Sequence, residues 1–321
     1  MTSFLVSVVV GQDRPAGEIQ ARHSIRNLDA LPKFQLLCDR YAIKPCYLLT
    51  YPVLRSDRHD WFLRQAKHGK ADLGICFQSW TTPPFEASEN RLTRTPITAL
   101  AVNRVFGKWT ALKTVFEQAF QQPPRLSCVD GGAVSGASLQ ALETLGLHVD
   151  ASAMPQMDFS AAGGSNWSKT TRAPYHPSRQ RPECPGLSPV LEVPITTGTT
   201  WPESLKPLSR LRRAALGGLG SRLLDSTVFA LGPVQPLSPA RLTLASMNSI
   251  ADSVQRQALP HLHMRILSET LSAGDSAFSS TAKQTAATFG RIDGFYRYVI
   301  DTLQLTPESV SNFTEHRLKP S

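Results

Sequence analysis

The chain has 321 residues, 41% hydrophobic and 18% charged, enough apolar material for a sizeable core in one large domain or two smaller ones. Its 34 Lys and Arg against 25 Asp and Glu leave a formal charge of +9 and a pI near 9.5, which suits an anionic partner such as an acidic glycan, a nucleic acid or a membrane surface, and equally a merely basic soluble protein. The five cysteines (Cys38, Cys46, Cys76, Cys128, Cys184) are widely spaced with no C-x-x-C pair, which argues against a disulfide framework or a zinc knuckle and for a reduced, cytoplasmic setting.

The opening MTSFLVSVVVGQD has no basic n-region, and its apolar run is too short for a signal peptide or a membrane span. Phe4–Val10 reads as a fully buried parallel strand, ended by Gly11 and the loop Gln12-Asp13-Arg14-Pro15. Asp13 in that loop reads as a turn former. Leu28, Leu31, Phe34, Leu36 and Leu37 then recur at helical spacing, followed by a strand over Ile43–Tyr51, a helix over Trp61–His68 capped by Gly69, and a strand over Ala71–Phe77. This alternation predicts βα units with a mainly parallel sheet, where function gathers as strands hand over to loops. Cys76 and Gln78, two apart on extended backbone, point to the same side. Cys76 reads as a small buried filler. Trp80, just past the strand, is either a platform for a sugar ring or a core plug above Pro83-Pro84.

Trp109–Gln121 is an amphipathic helix, Asp130-Gly131-Gly132 a tight turn, and Ser138–Leu145 a helix capped by Gly146. Ser160–Pro189 is rich in Gly, Ser, Pro and Arg, with Arg172, Arg179 and Arg181 beside Trp167, Tyr175 and His176. Such a stretch suits a lid that closes over the strand ends and stacks on sugars or an anionic chain, or else a solvated loop. Pro189–Ile195 reads as a strand. Ser209–Leu224 carries Arg210, Arg212, Arg213 and Arg222 on a helix, a basic face open to nucleic acid or acidic lipid but, with no zinc-finger spacing and no heptads, more simply a solvated one. Pro239–Leu259 is a long helix and His261–Leu267 a strand whose His261 and His263 share a face without a third metal donor. Thr281–Leu303 closes the fold, and the tail beyond it is expected to fray in part. With no repeat and no linker, a single domain over residues 3–305 and a tail over 306–321 are expected.

The stretches RNLDALPKFQLLCDRYAIKPCYLLTYPV, ADLGICFQSWTTPPF (Ala71–Phe85) and SLQALETLGLHVDASAMPQMDFS resemble the polysaccharide deacetylase superfamily (NodB-like, carbohydrate esterase family 4), in particular its WalW-like branch. The resemblance implies an α/β fold, a distorted seven-stranded (β/α) barrel. It also implies hydrolysis of N- or O-acetyl groups on sugars by a metal-bound water, with an aspartate base, two metal-binding histidines, a supporting arginine and a histidine acid. This sequence departs from that pattern at each strand end. Val9 stands at the base position with Asp13 the one nearby carboxylate, Cys76 and Gln78 at the metal histidines, Cys128 and Gly131 at the arginine positions, and Leu267 at the acid. The family zinc is therefore expected to be absent, since valine and glutamine do not supply its donors. The resulting expectation is a catalytically inactive deacetylase-like protein that binds a glycan or a polysaccharide-synthesis protein. Its binding residues would be Asp13, Cys76, Gln78, Trp80, Trp167, Tyr175 and Glu269. An active metal-dependent hydrolase with unusual ligands, such as Cys76, Asp13 and a histidine from elsewhere, is the first alternative. A basic module for nucleic acid or anionic lipid is the second.

Overall fold

The computed structural model describes residues 2–14, 24–86, 95–199, 234–315 and 317–318. The basic stretch Ser209–Leu224 lies outside them. The chain begins with β1 (Ser3–Val10), buried from Phe4 onward, and continues through α1 (Leu31–Arg40), β2 (Cys46–Leu49), α2 (Tyr51–Leu54), α3 (His59–Lys67) and β3 (Asp72–Phe77). Pro32 and Pro52 sit in the first turns of α1 and α2, where a missing N–H costs nothing and a fixed φ favours the helix. Then come α4 (Val102–Phe120), β4 (Ser127–Val129), α5 (Gly136–Thr144), β5 (Val149–Asp150) and β6 (Leu191–Glu192). A hairpin of β7 (Thr197–Thr199) and β8 (Val234–Pro236) precedes α6 (Leu244–Arg256), β9 (His261–Leu267), α7 (Ala282–Arg297), β10 (Thr306–Pro307) and α8 (Val310–Glu315). Ser135, Thr243 and the Thr281/Gln284 capping box satisfy the first N–H groups of α5, α6 and α7.

Seven parallel strands, in the order β9-β1-β2-β3-β4-β5-β6, curl into a half-barrel surrounded by helices. The seam between β6 and β9 carries scattered bonds instead of a ladder. Thr196 N–H donates to His263 O (3.0 Å) and Arg265 N–H to Leu237 O (3.1 Å). At Gly74 on β3 an added Cβ would stand 2.2 Å from Leu126 O, so only glycine lets the strand before β4 approach this closely.

Several expected elements change extent, each for a local reason. The strand over Pro189–Ile195 shrinks to Leu191–Glu192, because Pro189 and Pro194 lack the N–H that a ladder needs. The helix placed at Trp109 starts at Val102. The tail is the largest correction. Thr306 and Pro307 pair with Ser3 and Phe4, Glu308 N–H donates to Phe4 O (3.0 Å), and Val310 and Phe313 are 1% and 0% exposed. The packed domain therefore runs to residue 315, because an apolar pair three residues apart on α8 is buried against the start of β1 instead of fraying.

Ser160–Pro189 is stitched onto the barrel rather than poised above it. Tyr175 and Glu192 exchange backbone bonds (3.1 and 2.8 Å), which cover the open edge of β6. Trp167 is fully buried, its Nε1–H donating to Gly132 O (2.8 Å). Tyr175 is 6% exposed and donates its hydroxyl proton to Pro182 O (2.9 Å). The three arginines are also committed: Arg172 to Gln257 and Thr197 O, Arg179 to Glu143, and Arg181 to Glu183. The expected stacking lid is thus a set of structural contacts.

Candidate functional site

Because the barrel strands run parallel, the segments leaving β1, β3, β4 and β9 converge at one end of the sheet. They surround a cavity of about 560 Å³, within the range of small-ligand pockets. Its walls include Phe77, Trp80, Ile97, Met154, Phe159 and Phe278, with the charged residues Arg14, Asp130, Arg241, Arg265 and Glu269.

An ion-pair network occupies the charged side. Arg14, four residues beyond β1, donates to Glu269 through Nε (3.0 Å) and one terminal nitrogen (2.5 Å), and to Asp130 at 3.4 Å. Gln78 donates to the same Asp130 oxygen (3.0 Å) and accepts from the Thr81 hydroxyl (3.1 Å). Arg14 is 7% and Glu269 3% exposed. Burial alone would loosen the guanidinium proton, but Asp130 and Glu269 more than offset it and Arg14 is held charged. Burial also pushes the Glu269 carboxyl above its ordinary value, with Arg14 pulling the other way. Asp130 is fixed by two glycines in left-handed backbone, Gly131 (φ 80°) and Gly132 (φ 66°), which let the chain turn within one step of β4.

Of the other positions expected to carry chemistry, Val9, Cys76, Cys128 and Leu267 lie on the strands themselves. Val9 lies opposite Leu48 on β2 and Leu267 on β9, so three aliphatic side chains stand in register across the strands. None of them can hold or pass a proton. Cys76 and Cys128 are register partners, both fully buried, and burial together with Cys128 pushes the Cys76 thiol well up. Such a thiol is a poor metal ligand and a poor nucleophile.

Asp13 is 2% exposed and accepts from the Arg26 N–H (3.1 Å), the Asn27 N–H (3.0 Å) and the Asn27 side chain (2.5 Å). Burial would raise its pKa, yet the bonds from Ser24, Asn27 and Arg26 outweigh it and leave the carboxyl below its ordinary range. It anchors the turn before α1 and does not line the cavity.

These residues do not fit a metal ion. Among the described residues no group of three or more His, Cys, Asp or Glu side chains is placed to hold one. His261 and His263 do not join Cys76 and Asp13. They lie along β9, one donating from Nε2 to Pro194 O (2.8 Å) and the other bonded to Ser7 Oγ (3.0 Å).

Of the expected ligand-binding residues, Trp80 and Glu269 line the cavity, while Asp13, Cys76, Gln78, Trp167 and Tyr175 do not. Trp80 is 6% exposed, a wall residue with little free face. Sequence reasoning overlooked Arg14, Arg241 and Arg265. It also overlooked a carboxyl pair whose charges act on Arg265: Asp150 and Glu192 are register partners on β5 and β6, both buried, with burial pushing both carboxyls up. The available signal was a charged residue at or just past the end of an apolar strand, as Arg14, Asp130 and Arg265 all are.

Compared by sequence, the chain matches no protein-family model and no curated protein. Compared by structure, it superposes on a protein assigned as a glycoside hydrolase/deacetylase from Parabacteroides distasonis with a TM-score of 0.61 at 12% identity, over 98% of this chain and 70% of that one. It superposes on an assigned polysaccharide deacetylase from Mycobacterium smegmatis at 0.53 and 11%, over 92% and 80%. The chain has the polysaccharide-deacetylase fold. A 4-alpha-glucanotransferase from Thermococcus litoralis shares it too, at a TM-score of 0.50 and 12% identity, over 98% of this chain and 40% of that one. In this deacetylase-like barrel the cavity lies where the seven strands point.

Proposed function

We propose that this deacetylase-fold chain is a binding protein without acetyl-hydrolase chemistry, holding a glycan of surface-polysaccharide metabolism in its strand-end cavity. The observation that carries the reading is the network of Arg14, Glu269, Asp130 and Gln78. A fixed guanidinium, bonded to two carboxylates, supplies positive charge at the convergence of strand ends. It has no open coordination position and cannot lower the pKa of a bound water as a divalent metal does. Val9 and Leu267, at the positions the resemblance gives to the base and the acid, cannot move a proton.

Four of the five cysteines are buried and all are free, which suits a reducing, cytoplasmic compartment. Among the described residues no helix is long and apolar enough to cross a membrane, and the partner is taken to be a glycan or a protein that handles one.

The test combines elemental analysis of the purified chain with acetate release from acetylated chitooligosaccharides and acetylated xylan. The expected result is no stoichiometric zinc, cobalt or nickel, no chelator effect on Tm, and no acetate release with added metal. About one metal per chain, together with chelator-sensitive acetate release, would establish the active-hydrolase alternative instead.

A further inference from the structure

We propose that the strand-end cavity recognises an anionic sugar, whose carboxylate or phosphate is held by Arg265 and Arg241. The inference rests on the glycan-binding reading above and narrows its ligand. Three arginines (Arg14, Arg241, Arg265) and two carboxylates (Asp130, Glu269) line the cavity, and the positive charges are not equally used. Arg14 is bonded to both carboxylates. The three guanidinium charges exceed the two carboxylate charges by one, and among the described residues no ion pair joins Arg241 or Arg265 to either carboxylate.

Arg265 is 8% exposed, with one terminal nitrogen donating to Ala151 O and its Nε without an acceptor among the described residues. Asp150 and Glu192, whose charges act on Arg265, both have their carboxyls pushed up by burial. Arg241 reaches the cavity from the segment before α6, its guanidinium over the Phe278 ring at 4.8 Å, and it has no ion-pair partner among the described residues. Arg14 adds repulsion to the burial that weakens its proton.

A cavity lined by one more guanidinium than carboxylate, with the buried Arg265 Nε lacking an acceptor among the described residues, is costly to leave without a counter-anion. An oxyanion entering the cavity relieves both, and guanidinium groups suit carboxylate and phosphate geometry. The apolar remainder, with Met154, Met157 and Phe159, would meet the C–H faces or acyl groups of the same sugar. The chain's formal charge of +9 favours approach of such a ligand.

The test is calorimetric titration of the whole chain with tetragalacturonate, its methyl ester, chitotetraose and glucose 1-phosphate. Tetragalacturonate is expected to bind, about tenfold or more tighter than its neutral ester, with affinity falling as salt rises. Arg265→Gln and Arg241→Gln should each weaken it, Arg265→Gln by about tenfold or more. Arg241, at the exposed mouth, covers the case in which Arg265→Gln fails to fold. Binding of glucose 1-phosphate but not tetragalacturonate supports the inference and assigns the anion as phosphate. Wild-type affinity in both variants, or equal affinity for acid and ester, overturns it. If chitotetraose binds while both anions are ignored, the anion inference falls and the glycan reading stands. If none of the four binds, both fall.

Discussion

Replacing Arg14 by methionine keeps most of the side-chain stem and removes the charge that Glu269 and Asp130 share at 2.5–3.4 Å. Arg14 and Glu269 are 7% and 3% exposed, so solvent screens little of the pair, and deleting one partner of a buried pair costs about 3–5 kcal/mol. The loss should also depend on pH. Burial already pushes the Glu269 carboxyl above its ordinary 4.5, and Arg14 is what holds it down, so the variant's carboxyl rises further.

A carboxyl whose folded pKa exceeds its unfolded value binds its proton more tightly when folded. The deficit is therefore full above the folded pKa and shrinks as pH falls towards 4.5. Urea unfolding of wild type, Arg14→Met, Glu269→Gln and the double variant measures this. Arg14→Met should lose about 3–5 kcal/mol near neutral pH and less about two pH units lower. The double variant should lose less than the sum of the singles by about 1.5 kcal/mol or more. A variant as stable as wild type at neutral pH, a deficit that ignores pH, or strict additivity would each refute the network as described.

His261, fully buried and bonded to Pro194 O, has its pKa pushed from 6.5 down to about 4 by burial. The unfolded chain takes a proton that the folded one refuses, so its contribution of about 3 kcal/mol is lost as pH falls from about 6.5 to about 4. His261→Gln should flatten that slope in urea melts, and an unchanged slope would count against it. Trp167→Ala should cost about 3–5 kcal/mol in stability, as for a large aromatic in a core, while leaving glycan affinity of the folded protein unaltered. Lost affinity at full stability would instead restore a binding role. Phe313→Ala should cost about as much, roughly 3–5 kcal/mol, measured by the same unfolding assay, whereas a domain that ended at residue 305 would lose nothing.

β1 and β9 were legible in the sequence because each is specified by its own residues, one as a continuous β-branched run and the other as a seven-residue stretch closed by turn formers. The residue types at Val9, Cys76 and Gln78 could likewise be read position by position, since they are given by the sequence alone. The site itself could not. Arg14 meets Asp130 across 116 residues and Glu269 across 255, and nothing in local periodicity says which strand ends become neighbours. Only the order β9-β1-β2-β3-β4 brings those three charges together, and only long-range packing turns Trp167 inward onto Gly132 and seats α8 against the start of β1. Local pattern determined which segments are strands and what each strand end lacks. The long-range pairing of the sheet decided which charges are spent on one another and which are left facing the cavity.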